Sequence, residues 1–358
     1  MLLRSAANTR RRTASDGGAA DIAVSCRVRL ARNLRGVRFP DWADEKERCR
    51  VFDLLSPWLM KEAGLFHATI AAVGSLDEIT RAMLCERHLI SREMAERGPG
   101  AGVVVGADER LAVMINEEDH LRIQAIMPGM ELARAWASAN AMDLRLEEQF
   151  EFAFHNRLGY LTACPSNVGT GMRASVMVHL LGLRLSNDLD AVLRALERLR
   201  LTVRGVNGEG SEAAGHMFQI SNQETLGSDE TALMDNLLDV VGDVVHQERN
   251  ARLRLQRDSP AVLLDCVARA LAIIQSARIM ETEEALDYLS ALRLGVSMGL
   301  VRRLTIAHVD ALALHVQPGH LQRRMGVALE PARRDVMRAN LMREMLRPVV
   351  LRGMKETI

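Results

Sequence analysis

The chain has almost no lysine, few aromatic residues and no excess of charge of either sign. Only Lys46, Lys61 and Lys355 are lysine among 46 basic residues, so all the others are arginine. The 46 acidic residues bring the formal net charge to zero. A neutral chain has no overall field that attracts nucleic acid or an anionic membrane, and we expect neither partner. Because arginine is common throughout, it indicates function only inside a motif.

The chain also lacks paired cysteines and long apolar runs. Its five cysteines are odd in number and scattered without any CxxC pair: Cys26, Cys49, Cys85, Cys164 and Cys266. This pattern argues against a disulfide framework and a zinc site and predicts a reducing, cytoplasmic location. The absence of about 18 uninterrupted apolar residues, and of an apolar leader, predicts neither a membrane span nor a secretory signal. Residues 1–20 are predicted to be a disordered basic tail.

The pattern of the chain up to residue 227 predicts an α+β domain. Residues 21–30 alternate apolar and polar side chains, which indicates a half-buried strand with Arg27 and Arg29 on one side. After GPGAG at 98–102, the runs VVVG and LAVMINE are separated by the turn ADER, as in a hairpin. Hairpins outnumber βαβ units, so we expect an antiparallel sheet flanked by helices. Further strands are predicted near 158–163, 174–183 and 217–222, and helices at 44–63, 76–97, 130–148 and 187–199.

Beyond Gly227 the pattern becomes helical, at 229–256, 260–278, 281–297 and 330–347, with predicted caps at Ser228, Ser259 and Thr282. No convincing strand is visible there. The sequence therefore predicts a catalytic domain over 21–227 and a smaller all-α domain over 228–358.

Four separate segments carry arginines in motifs. They are SCRVR at 25–29, MINEEDHLR at 114–122, CPSNVGTGMRASV at 164–176 and RGVNGEGSE at 204–212. If they converge, their arginines form a cage that suits a polyphosphate, because a planar guanidinium makes paired hydrogen bonds to phosphate oxygens. These arginines are Arg27, Arg29, Arg122, Arg173 and Arg204. The GxxxxGK[ST] loop is absent, which excludes a P-loop.

Glu118 and Glu209 lie within these segments, where carboxylates repel a nucleotide unless a cation lies between them. A guanidinium meets this need: two carboxylates can hold one of its nitrogens in line with the γ-phosphorus and accept the departing proton. The alternative for NEEDHLR at 116–122 is an ordinary polar turn at the end of a strand.

Cys164 precedes Pro165 and Ser166, whose hydroxyl could donate to sulfur and favour a thiolate. A buried inert cysteine is the alternative. His88 and His120 lack metal-ligand spacing, and we predict no metal site. The glycines of 205–210 suit a mobile lid over phosphates.

In order, SCRVRLARN, NEEDHLR, GYLTACPSNVGTGMRASV and RGVNGEGSEAAGHMFQISN resemble the ATP:guanidino phosphotransferase (phosphagen kinase) family. The GYLTACPSNVGTGMRASVM wording and the RLG and QPGHLQ segments resemble its bacterial protein-arginine kinases. The resemblance implies an antiparallel sheet flanked by helices, with Glu118 and Glu209 as catalytic carboxylates and Cys164 as the active-site cysteine. It implies an ATP site made of Ser25, Cys26, Arg27, Val28, Arg29, His88, Arg122, Arg173, Ala174, Ser175, Val176, Met177, Arg204, Gly205, Val206, Asn207, Gly208 and Glu209. Magnesium would be held chiefly by phosphates and water.

Two features favour a protein substrate over a free metabolite. Only about 20 tail-like residues precede the SCRVR strand, whereas phosphagen kinases carry a helical domain there that helps to close over a small substrate. RDVMRA at 334–339 resembles the RDxxRA motif of a phosphoarginine pocket, which implies that Arg334, Asp335, Arg338 and Ala339 bind phosphoarginine. Cys26 and Asn207 depart from the family pattern.

We therefore expect a cytoplasmic ATP-dependent kinase that phosphorylates arginine side chains of proteins and thereby marks them for proteolysis. By the same resemblance, the expected partners are proteins with exposed arginine, a Clp-type protease, an activator protein and a second copy of the chain. The alternatives are a kinase of free arginine or a related guanidine, and a non-catalytic adaptor that binds phosphoarginine.

Overall fold

The computed structural model describes residues 20–62, 65, 67–205 and 214–352. In this part of the chain, the central element is an antiparallel sheet of eight strands in the order β2-β3-β4-β5-β1-β8-β10-β9. The strands are β1 (Ala23–Arg32), β2 (Thr69–Ala72), β3 (Gly102–Val105), β4 (Leu111–Ile115), β5 (Leu121–Pro128), β8 (Met172–His179), β9 (Leu201–Gly205) and β10 (Met217–Asn222). A small hairpin, β6 (Phe154–His155) and β7 (Gly159–Tyr160), lies outside this sheet.

Helices cover the sheet. They are α1 (Glu45–Lys61), α2 (Glu78–Glu86), α3 (Arg92–Ala95), α4 (Leu132–Gln149), α5 (Leu181–Leu185), α6 (Leu189–Arg198) and α7 (Glu230–Asp258). Helix α1 begins with a capping box in which Asp44 accepts from the Glu47 amide. One face of β1, β5 and β8 is apolar, and its side chains form a single core with those of α4 and α7. The other face of these strands is left for polar side chains.

Five more helices follow α7. They are α8 (Pro260–Ser276), α9 (Thr282–Ser297), α10 (Ile306–His315), α11 (Pro318–Met325) and α12 (Pro331–Leu346). They enclose a second core, which includes Leu289, Leu312 and Met342. A two-stranded ribbon, β11 (Val301–Arg302) with β12 (Val350–Leu351), closes this region. None of the helices within the described residues is by itself long and apolar enough to cross a membrane; α7 and α8, bent by 102°, meet that criterion only as a pair.

The expected fold class, an antiparallel sheet flanked by helices with a helical C-terminal region, is confirmed. The 98–115 hairpin and the strand over 21–30 are present as β3–β4 and β1. The expectation of no strand after Gly227 was wrong, because β11 and β12 pair there. The cap of α7 is Asp229, whose side chain accepts from the Ala232 amide, and not Ser228. The boundary at 227 stays a prediction; α7 lies beyond it, yet its leucines and valines pack in the core of the sheet.

Candidate active site

The strand register places the predicted arginines on one face of the sheet. Arg29 is opposite Arg173 of β8 on one side and opposite Gln124 of β5 on the other. Arg122 lies two positions before Gln124 on the same face, because alternate residues of a strand share a face. Arg204 is opposite Gln219 of β10. We call Arg27, Arg29, Arg122, Arg173 and Arg204, which come from four strands, the arginine face.

Like charges on this face repel one another. Burial, followed by the nearby Arg122 and Arg173, lowers the pKa of Arg27 to about 10. Burial, followed by Arg27, Arg122 and Arg173, lowers the pKa of Arg29 well below its ordinary value. An anion placed beside a guanidinium whose charged form is disfavoured in this way stabilises that charged form.

The contacts of the arginine face orient the guanidinium groups more than they neutralise them. Arg27 donates from Nη2 to Oε1 of Gln219 at 2.7 Å, and Arg173 donates to Oγ of Ser221 at 3.4 Å. Within the described residues, the buried Nε of Arg29 has no hydrogen-bond partner. Glu117 forms an ion pair with Arg122. Sequence reasoning did not identify Gln219 and Ser221, because their place on this face follows from the strand pairing.

The acidic residues of the NEEDH turn, between β4 and β5, differ in their contacts. Glu117 is buried and accepts from Ser91 Oγ at 2.5 Å as well as from Arg122. Burial alone would raise the pKa of Glu117, but Arg122, Ser91 and the Glu118 amide together lower it. Glu117 is therefore a fixed carboxylate that orients Arg122.

Glu118 has the opposite electrostatic environment. It is only partly buried, and within the described residues its carboxylate forms no ion pair. Burial, followed by the negative charge of Asp119, raises its pKa. A carboxylate with raised pKa at a site edge suits a group that accepts a proton or binds a cation.

Asp119 and His120 hold the turn in place. Asp119 Oδ1 accepts from Asn33 Nδ2 at 2.6 Å and from the Ala163 amide at 2.7 Å. His120 is buried, its Nδ1 accepts from the Leu34 amide, and its Nε2 lies 2.9 Å from the Arg38 carbonyl. Burial lowers the pKa of His120 to about 4, so this histidine is neutral and has a structural role in the turn.

Cys164 lies beside this turn, since Ala163 binds Asp119 and Glu118 precedes Asp119. Its Sγ is 2.9 Å from Ser166 Oγ, which is the contact that the CPS motif predicted. The loop that carries Cys164 requires glycine at position 169. Gly169 has φ +117°, and a Cβ there would lie 2.2 Å from the Thr225 carbonyl oxygen. A cavity of about 290 Å³ opens between this loop and the sheet, lined by Ser166, Asn167, Arg173, Thr202, Arg204, Asn222, Gln223 and Thr225.

His88 is exposed at the end of α2 with a positive φ of 57°. Its carbonyl accepts from Nε2 of Gln124 at 2.7 Å, and Gln124 is the residue opposite Arg29. The predicted ATP residues His88, Ser175 and Met177 thus lie on or beside the arginine face. Other predicted residues turn their side chains into the core, where they can contribute only backbone atoms: Cys26, Val28, Ala174 and Val176.

The remaining residues of the predicted site are only partly described. Val206, Asn207, Gly208 and Glu209 fall outside the described residues, so their predicted roles stay predictions. Ser25 is in β1, and Gly205 ends β9 opposite Phe218. A larger cavity of about 950 Å³ between α5, α8 and α9 does not include any residue of the arginine face.

The RDVMRA motif lies on α12 in the helical region. Arg338 is 1% exposed; its Nε donates to the Val316 carbonyl at 2.7 Å and its Nη1 to the Met280 carbonyl at 2.8 Å and to Asp335 at 2.6 Å. Ala339 is buried beside it, whereas Arg334 is partly exposed. Phosphoarginine binding by this motif stays a prediction. Of its two arginines, Arg334 is the more accessible to a ligand.

The described residues contain no group of three or more His, Cys, Asp or Glu side chains placed to hold a metal ion. The donors that do converge are guanidinium groups, which bind anions. A sheet face of this kind suits a polyphosphate, because a planar guanidinium makes paired hydrogen bonds to phosphate oxygens.

Comparison with known proteins agrees. The profile of the "ATP:guanido phosphotransferase, C-terminal catalytic domain" family matches residues 59–251, and that of the "Protein-arginine kinase McsB C-terminal domain" matches 260–356. The protein-arginine kinase of Halothermothrix orenii is 42% identical over 93% of this chain and 95% of its own, and that of Moorella thermoacetica is 43% identical over 92% and 95%. A crystal structure of lombricine kinase is similar with a TM-score of 0.55 and 26% identity, covering 68% of this chain and 70% of its own.

The chain belongs to the ATP:guanido phosphotransferase family, among the protein-arginine kinases. The family predicted from the four motifs is confirmed.

Proposed function

We propose that this chain transfers the γ-phosphoryl group of ATP to arginine side chains of proteins. The observation that carries the proposal is the arginine face, in which Arg29 and Arg173 are paired directly across two strands with Glu118 at the edge. Phosphoryl transfer depends on positioning and on stabilising charge, and an array of fixed guanidinium groups supplies both.

In the proposed reaction the arginine face binds the triphosphate, and Glu118 and Glu209 hold the acceptor guanidinium by its N–H groups. A nitrogen of the acceptor forms a bond to the γ-phosphorus, while the bond from that phosphorus to the β–γ bridging oxygen breaks and ADP leaves. The proton of the attacking nitrogen passes to a carboxylate, for which Glu118 is suited by its raised pKa. Cys164 adds a further contact to the guanidinium.

Mg²⁺ enters, in this proposal, with ATP. The described donors fit phosphate better than metal, so the ion would be held by phosphate oxygens and water. There it would neutralise charge on the β- and γ-phosphates.

The helical region supports a protein acceptor. Protein-arginine kinases match along almost the whole chain, including the region that follows the sheet. We propose that Arg334, Asp335, Arg338 and Ala339 bind phosphoarginine there. A Clp-type protease, an activator protein, a homo-oligomer and a cytoplasmic location stay predictions from the resemblance.

The test is mass spectrometry for acid-labile phosphate on arginine after the full chain is incubated with ATP, magnesium and a mixture of proteins. The same assay with free arginine separates the two kinase hypotheses. Phosphoarginine on the proteins supports the proposal; phosphorylation of the free amino acid alone indicates a metabolite kinase. Binding of phosphoarginine without any ATP consumption indicates an adaptor.

A further inference from the structure

Helix α11 of the helical region packs closely on α2, which leads into His88. Gly319 makes this approach possible: a Cβ on it would lie 2.8 Å from the Met83 backbone nitrogen and 3.0 Å from Ala82 Cβ. At the other end, Arg323 donates to Thr80 Oγ1 at 2.5 Å, and Thr80 lies in the first turn of α2. The two helices therefore touch at both ends.

Glu86 joins the helices at the end nearer His88. Its carboxylate accepts from the backbone amides of Gly319 at 2.6 Å and His320 at 3.0 Å, and it contacts His320 Nδ1 at 2.5 Å. A negative charge at the last residue of α2 is unfavourable for that helix, but it is favourable at the beginning of α11, where unpaired N–H groups point outward. The position of Glu86 is thus explained by α11 and not by α2.

The residues that follow Glu86 contact two residues that lie beside the arginine face, Gln124 and Glu117. The His88 carbonyl accepts from Gln124, which is 3% exposed and opposite Arg29. Ser91 donates to Glu117, the partner of Arg122. A strap of six residues, Glu86 to Ser91, therefore runs from the helical region to the arginine face. His88 has a positive φ, a backbone conformation that residues with a side chain rarely adopt. Contacts with the surrounding structure must therefore maintain this conformation.

We propose that Glu86 is a positioning residue for the nucleotide: by binding the beginning of α11, it fixes the Glu86–Ser91 strap and so sets the affinity of the arginine face for ATP. This inference rests on the proposed ATP site. It makes the helical region a structural part of nucleotide binding, although none of the residues of α11 belongs to the arginine face.

The experiment measures KM for MgATP and kcat for protein phosphorylation in the full chain and its variants, with direct titration of MgATP as a second readout. Glu86→Ala removes the acceptor, and Gly319→Ala pushes α11 away without touching Glu86. We expect both to raise KM and the dissociation constant of MgATP about fivefold or more, with a smaller change in kcat. Glu86→Gln, which keeps one acceptor oxygen, is expected to cause a smaller rise and serves if Glu86→Ala does not fold.

Matched controls separate positioning from general stability. Glu78→Gln removes an exposed carboxylate of the same helix, and Gly242→Ala adds a methyl group where nothing lies within 4 Å; both should keep wild-type KM.

Wild-type KM in folded Glu86→Gln and Gly319→Ala proteins overturns the inference, since a merely structural contact lowers the active fraction and kcat without changing KM. Failure of the wild-type chain to bind MgATP or to phosphorylate arginine refutes the proposed function instead, so the two failures are distinguishable.

Discussion

Arg29 and Arg173 lie directly opposite each other in the β1–β8 pair, on the polar face of the sheet. Like charges in directly opposed positions destabilise an antiparallel pair. With Arg27 and Arg122 beside them, the charged form of Arg29 is further disfavoured. Repulsion between these arginines therefore lowers the stability of the sheet at the place where a bound polyphosphate would supply negative charge.

Glu118→Gln is expected to lower kcat by about 10²–10⁴-fold while ATP affinity stays close to that of the wild type, because the role proposed for this carboxylate is to hold the acceptor and not the phosphates. Steady-state kinetics and titration of MgATP check this. Glu93→Gln, an exposed glutamate on α3, is a suitable control. Unchanged kcat in Glu118→Gln would exclude the role assigned to this residue.

The pH dependence follows from the same carboxylate. The proposed reaction uses Glu118 in its ionised form, and burial and Asp119 raise its pKa, so we expect activity to fall as pH is lowered through a value above that of an ordinary glutamate. The acidic limb of kcat/KM is therefore expected at a higher pH than an ordinary glutamate would give. The limb should vanish in Glu118→Gln; its persistence there would assign it to another group.

Cys164→Ser is expected to reduce kcat on the order of 100-fold with little change in MgATP affinity, since the proposed contact of the cysteine is with the acceptor guanidinium. Ser166→Ala should have a smaller effect in the same direction, because Ser166 acts through the sulfur at 2.9 Å. Cys266→Ser, on α8, is the control. A rise in KM for ATP without a change in kcat would place Cys164 at the nucleotide instead.

Substituting the two arginines of RDVMRA is expected to affect stability and phosphoarginine binding differently. Arg338→Ala leaves the Val316 and Met280 carbonyls without their donor and should lower the free energy of unfolding by about 2–4 kcal/mol. Arg334→Ala should change it by less than about 0.5 kcal/mol while weakening phosphoarginine binding. Chemical denaturation and calorimetric titration with free phosphoarginine measure the two effects. Undiminished binding in Arg334→Ala would exclude this residue from the pocket.

The strand over 21–30 could be predicted because its alternation is regular, and with it the shared direction of Arg27 and Arg29. The β3–β4 hairpin was predictable from the break at 98–102 and the turn at 107–110. The short strands β2 and β11 have four and two residues, too few to show a period. Helices α10 and α11 were missed, and Pro318 begins the second of them.

Site residues within a sequence motif could be predicted. Residues that reach the site only through the pairing of strands could not. Nothing local marks Gln124, Gln219 or Ser221 as neighbours of arginines; only the register of β5, β1, β8 and β10 brings them there. Likewise, Glu117 and Glu118 are adjacent acids in the sequence, and their different environments follow from Ser91 and Arg122.

The most direct test of the arginine face is the thermal unfolding of the wild-type chain and of Arg29→Met, each with and without MgATP. Without nucleotide, we expect Arg29→Met to unfold about 2–4 °C higher, which corresponds to roughly 1 kcal/mol of relieved repulsion. With MgATP, the wild type should be stabilised and the variant much less. Lower stability of Arg29→Met without nucleotide, together with an undiminished response to MgATP, would contradict the account.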